Sequence, residues 1–162
     1  MQLSQIAKII GSIQPIDTGG VARLGAHVNM SKYEHVAFIV SVGAIGNNAT
    51  VTVLAGTDSV GTAGVAQAYR YYLSTGGAPL VTEVSSSLVG VSAAGYTLNA
   101  ATDDNELMVI EVDAAELALP ASKYYVGVNV ANAAACLVSV VAICLWPRYA
   151  ADPSAMPSAI VA

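Results

Sequence analysis

Charge is what this chain has least of. Asp, Glu, Lys and Arg make up 10% of its 162 residues, against about 25% in an average soluble domain. The six basic residues, Lys8, Arg23, Lys32, Arg70, Lys123 and Arg148, stand singly, and the formal net charge is −5. Phosphate recognition needs clustered Lys and Arg, so nucleic acid is excluded as a partner. The same scatter leaves no polybasic patch for an anionic membrane surface.

Cysteine is almost as scarce. Cys136 and Cys144 fall within one apolar stretch. If that stretch is a strand, roughly 3.3 Å per residue puts them about 26 Å apart, far beyond disulfide reach. They read as buried small hydrophobes in a chain made in a reducing cytosol. No secretory signal is expected at the N-terminus, where Ser4, Gln5, Lys8, Ser12 and Gln14 interrupt the apolar residues. No run reaches the roughly 18–20 apolar residues of a membrane helix.

Catalytic signatures are missing as well. The two histidines, His27 and His35, flank a short connector, and no G-x-S-x-G accompanies them. The glycine pairs Gly19-Gly20 and Gly76-Gly77 and the Gly61–Gly64 segment form no phosphate loop. Asp103, Asp104 and Glu106 do not follow the spacing of a calcium loop, and Glu111 and Asp113 share one strand face without an evident partner. No cofactor, metal or enzymatic activity is expected.

What remains is a chain that is 55% hydrophobic and rich in small residues. With so little charge, either Ser, Thr, Asn and Gly cover the surface or part of it is not exposed at all; the second, a substantial subunit interface, is the favoured expectation. Period-two alternation recurs along the chain. Glu34 to Gly43 sets Val36, Phe38, Val40 and Val42 against Ala37, Ile39 and Ser41. Ala49 to Thr57 returns after the turn signal Gly46-Asn47-Asn48, as a hairpin or a Greek-key segment. Gly25 to Met30, Ala66 to Ser74, Leu80 to Val91, Tyr96 to Ala101, Glu106 to Asp113 and Tyr124 to Ala131 read as further strands. Ala114 to Leu117, after Asp113, suits one helical turn.

The stretch from Ala133 to Trp146 is apolar on both faces. Cys136, Val138, Val140, Ala142, Cys144 and Trp146 form one side; Leu137, Val141, Ile143 and Leu145 form the other. One sandwich core buries only one side, so the second is expected to meet another subunit.

These elements predict an all-β, single-domain β-sandwich, jelly-roll-like, of about eight strands, with extended N- and C-terminal arms. The expected division is an arm over 1–20, a body over 21–149 and a tail over 150–162. Ile6, Ile9, Ile10 and Ile13 suit a short amphipathic helical turn or two in the first arm. That arm either packs on its own domain or reaches a neighbour. Met156, Ile160 and Val161 make the tail apolar. Tyr69, Tyr71 and Tyr72 offer stiff aromatic area. With the four outward residues of the apolar stretch, these are the expected partner and oligomer contacts.

Four stretches carry a family resemblance: Ile9 to Gly20, Lys32-Tyr33-Glu34-His35-Val36, Val109 to Leu117, and Arg148 to Pro153. Taken together the chain resembles the capsid decoration (cement) proteins of tailed bacteriophages and related small virion proteins. The resemblance implies a jelly-roll or sandwich body, often trimeric, on the outside of the capsid. The implied partners are the major capsid protein and further copies of the chain. It implies no active site. Location in a tail or head fibre, or a carbohydrate-binding sandwich module, are the alternative readings.

Overall fold

The computed structural model of this chain describes residues 7–74, 88–117, 124–132 and 134–147. Every regular element among them is a strand: β1 (Ala7–Asp17), β2 (Arg23–Leu24), β3 (Val28–Asn29), β4 (Tyr33–Ile45), β5 (Ala49–Gly56), β6 (Val65–Gln67), β7 (Tyr69–Leu73), β8 (Val89–Val91), β9 (Tyr96–Leu98), β10 (Leu107–Asp113), β11 (Tyr125–Asn132) and β12 (Cys136–Pro147). All pairings are antiparallel, and the strands form two sheets packed as a β-sandwich. Sheet A runs β1-β12-β4-β10-β7-β8. Sheet B runs β2-β11-β5-β6, with β3 also on β11 and β9 also on β5.

Twelve segments occupy fewer positions than their number suggests. β2 and β3 lie end to end along one side of β11, opposite Asn129–Val130 and Tyr125–Val126. β6 and β9 likewise share the free side of β5. The pairing is therefore nested: β1 with β12, β2 and β3 with β11, β4 with β10, and β5 with β6 and β9. Rolling this long ribbon brings β12 beside β4 and β11 beside β5. β7 and β8 then widen sheet A beyond β10.

Alternation explains the core. On β4, Val36, Phe38, Val40 and Val42 are buried; on β5, Val51, Val53 and Ala55; on β11, Val126, Val128 and Val130. β10 adds Met108, Ile110 and Val112, and β12 adds Cys136, Val138, Val140, Ala142 and Cys144. These side chains fill the space between the sheets, where removing apolar area from water drives folding.

Several expectations need correction. β4 and β5 do not form a hairpin: they lie in opposite sheets. The connector is held elsewhere, Gly46 N donating to Ala135 O at 2.7 Å and Ile45 N to Asp104 Oδ1 at 2.7 Å. Ala66 to Ser74 is not one strand; it divides at Ala68, β6 joining sheet B and β7 sheet A. Gly25 to Met30 contributes only Val28–Asn29, with Arg23–Leu24 before it. The helical turns expected at the N-terminus are absent from residues 7–17, which form edge strand β1 against β12. Strand geometry wins there because β12 offers a full ladder of partners, and two register shifts absorb Ser12 and the Gln14-Pro15 pair. Ala114 to Glu116 is a turn closed by Glu116 N on Asp113 O at 3.1 Å. The part of the Leu80 to Val91 strand before residue 88 lies outside the described residues, as do Ile6 and the tail over 150–162.

Candidate interaction face

Strand alternation gives each sheet an outer face, and β12 with its neighbours decides the character of the one on sheet A. In register across it lie Gly11, Val141, Ile39, Val109 and Tyr72. The next row is Ile9, Ile143, Ala37, Glu111 and Arg70, and beyond it Ala7, Leu145, His35 and Asp113. Toward the other end come Ser139, Ser41 and Leu107. The centre is an apolar belt crossing four strands. Ile39, Val109, Val141, Ile143 and Leu145 are half-buried, while Ile9 and Leu137 are 47% and 50% exposed.

At one end of the belt an open groove of about 360 Å³ runs between β1, β12 and β4. Pro15, Ile16, Asp17, Leu137, Val138, Ser139, Ser41 and Gly43 line it. Gly43 permits the close approach of Leu137: a Cβ there would come to 2.9 Å of the leucine's own.

The opposite end carries the chain's one tryptophan. Alternation would point Trp146 inward with Cys144, but its φ is +52°, the left-handed region that a bulky L residue avoids. The strand turns out of register, and the indole is 60% exposed. It lies 5.4 Å from the His35 ring, centroid to centroid, at 54°. His35 Nδ1 donates to Asp113 Oδ1 at 2.7 Å, which fixes the proton on that nitrogen because the carboxylate only accepts. Close by in the sheet, Arg70 pairs with Glu116. A histidine held by a carboxylate is part of a nucleophile-activating arrangement. Both cysteines, however, lie on the inner face, and burial pushes the Cys144 thiol up to about 12, where it stays protonated.

The structure sorts those of the expected contact residues that it describes into three groups. Ile9, Tyr72, Leu137, Val141, Ile143 and Leu145 come together on the outer face of sheet A. Ile13 and Tyr69 belong instead to the core and offer no outer contact. Tyr69 spans the sandwich: its hydroxyl donates to Val51 O at 2.7 Å and accepts from Tyr96 N at 3.1 Å. Burial raises that phenol to about 12. Ile10 and Tyr71 pack partly against the core, Tyr71 with its ring 4.6 Å from Tyr96. Ile6, Met156, Ile160 and Val161 lie outside the described residues.

Sequence reasoning missed Ile39, Val109, Trp146, His35 and Asp113 as members of this face. Ile39 and Val109 could have been found, since each alternates against a core residue on its own strand. Trp146 could not, because a single left-handed residue reverses its side.

The acidic turn residues act locally. Asp103 Oδ2 accepts from Asn99 N, Asp104 Oδ1 from Ile45 N, and Glu106 is buried against the Ser74 hydroxyl. Among the described residues no group of three metal-ligating side chains converges.

Comparison of the chain with protein-family models, with characterised proteins and with solved structures finds no match.

Proposed function

We propose that this protein is a structural virion component, a decoration (cement) protein that binds the outside of a tailed-phage capsid and stabilises its subunit junctions. The observation that carries the proposal is the apolar outer face of sheet A, on a chain with too little charge to leave such a face in water. Its partners are then the major capsid protein and further copies of the chain, in a trimer made in the host cytoplasm and carried on the capsid surface. The nested strand pairing supports the jelly-roll reading that goes with this class.

A shell under internal pressure gains stability from anything that binds its assembled state alone. Many copies multiply a modest term. The role needs a rigid body and a sticky face, and no reacting groups.

The test is a titration of the purified chain onto capsids that lack it. Saturable binding with a raised temperature of shell disruption is expected. No binding, together with a stable monomer by light scattering, would refute the reading.

The outward Trp146 beside His35, whose ring Asp113 holds, favours one second reading, a carbohydrate-binding module, since an exposed indole with polar groups near it is a platform for a sugar ring. Binding of the isolated chain on a glycan array, lost in Trp146→Ala, would move the assignment there.

A further inference from the structure

The outer face of sheet B carries a second feature. His27, between β2 and β3, is fully buried. Its ring lies between two glycines. A Cβ on Gly127 of β11 would overlap the ring, and one on Gly61 would reach 2.7 Å from Nε2. Gly61, at φ +77°, belongs to the loop over 57–64 that follows β5. The histidine thus fills a slot between sheet and loop that only glycine leaves open.

Its hydrogen bonds define its charge state. Nδ1 lies 2.9 Å from Gly25 O, a carbonyl that only accepts, so Nδ1 carries the proton. Nε2 is buried without a hydrogen-bond partner. The backbone completes the attachment: His27 N donates to Ser59 O at 2.9 Å. Within the loop Asp58 Oδ1 accepts from Val60 N at 3.1 Å and Thr62 N at 2.9 Å.

We propose that the loop over 57–64 is a latch, held on the outer face of sheet B by the uncharged His27 ring and released when that ring takes up a proton. A second proton must go on Nε2, where the closed slot has no acceptor for it. Leaving such a donor buried is costly, and lifting the loop gives it water.

Burial lowers the pKa of His27 from its ordinary 6.5, against smaller opposing effects of the Gly25 carbonyl and Asp58. Asp58 is the charged side chain that acts on the ring; Gly127 brings none from β11, and Leu24 packs beside Gly61. Hydrogen bonds from Thr62, its side chain first, hold Asp58 below the usual carboxylate range. The closed form therefore binds the proton more weakly than the open form. Closure is fully favoured above about 6.5 and weakens as pH falls below that value toward the depressed one. A single proton makes the open population rise by up to about tenfold per pH unit across that window.

The experiment is amide exchange and histidine-ring NMR on the full chain between pH 7.5 and pH 4.5. The His27 ring is expected to titrate below 6.5. Protection of the His27 and Gly61 amides should fall by up to about tenfold per pH unit, while that of Val42 and Val140 in sheet A stays constant. His27→Leu should abolish the pH dependence of Gly61. Titration of His27 at its ordinary value with unchanged loop protection would overturn the latch. So would equal loss of protection in both sheets, which marks global unfolding. If His27→Leu does not fold, the wild-type ring titration set against the two classes of amide decides the matter.

Discussion

The two outer faces of the sandwich obey the same alternation and end with opposite chemistry. Sheet A turns Ile39, Val109, Val141, Ile143 and Leu145 outward. Sheet B turns out Thr50, Thr52, Thr97 and Asn129, which hydrogen-bond across the strands: Asn129 Nδ2 donates to Thr52 Oγ1 at 3.3 Å. Its apolar residues include Leu24, which is 44% exposed, and Leu54 and Ala66; Leu24 lies beside Gly61 and Leu54 against Gly64 of the loop over 57–64. Hydroxyls and amides suit a face that meets water. A belt of β-branched residues suits one that meets protein. In the proposed role, sheet A is the binding surface and sheet B the solvent surface.

The largest effect should come from charge placed in the belt. Ile39→Lys with Val141→Lys should weaken capsid binding or self-association by about 100- to 1,000-fold, the cost of burying unpaired charge. Circular dichroism should show the β fold retained. Thr52→Lys on sheet B should leave association unchanged, and an equal loss there would erase the distinction between the faces.

Next in size is a comparison within β10. Ile110→Ala, facing the core, should cost about 2–5 kcal/mol in urea unfolding of the isolated chain. Val109→Ala, facing outward, should cost under about 1 kcal/mol there and weaken association instead. If the two variants destabilise the isolated chain equally, the outer face is already covered within the monomer.

Trp146 reports on the same face without strong energetic weight. Trp146→Gly removes an exposed ring and relieves a left-handed residue, worth about 1–2 kcal/mol, against about 0.5–1 kcal/mol for glycine's greater freedom in the unfolded chain, a small net gain in urea unfolding. In the unmodified chain its fluorescence should be open to iodide quenching and become shielded on assembly. Quenching that is the same before and after binding would put the interface elsewhere. The smallest change expected is Thr52→Val, within about 0.5 kcal/mol, since the surface bond it removes is largely replaced by water.

Much of the fold could be read from residues alone. The inward sets on β4, β5 and β12 follow from period two, and so do Val141 and Ile143 as outward residues. The failures share a cause. The split at Ala68 and the parting of β4 from β5 both occur where the chain changes sheets, and a crossover has the same local pattern as a continuous strand or a hairpin turn. At the candidate face, Tyr69 resembles Tyr72 in sequence, yet one lies in the core with its hydroxyl on Val51 and the other lies outside. Helix-like spacing of isoleucines before residue 14 proved weaker than the ladder that β12 provides.

By itself, then, the sequence determined which residues avoid water and with what period, because strand alternation is set within a few bonds. It also determined that charge is scarce, at 10% of residues. Only the tertiary structure decided which strands lie side by side, since pairing joins residues as far apart as His35 and Asp113. It alone turned Trp146 outward and closed a loop over His27 between two glycines. Those arrangements depend on contacts between distant segments, and no local pattern encodes them.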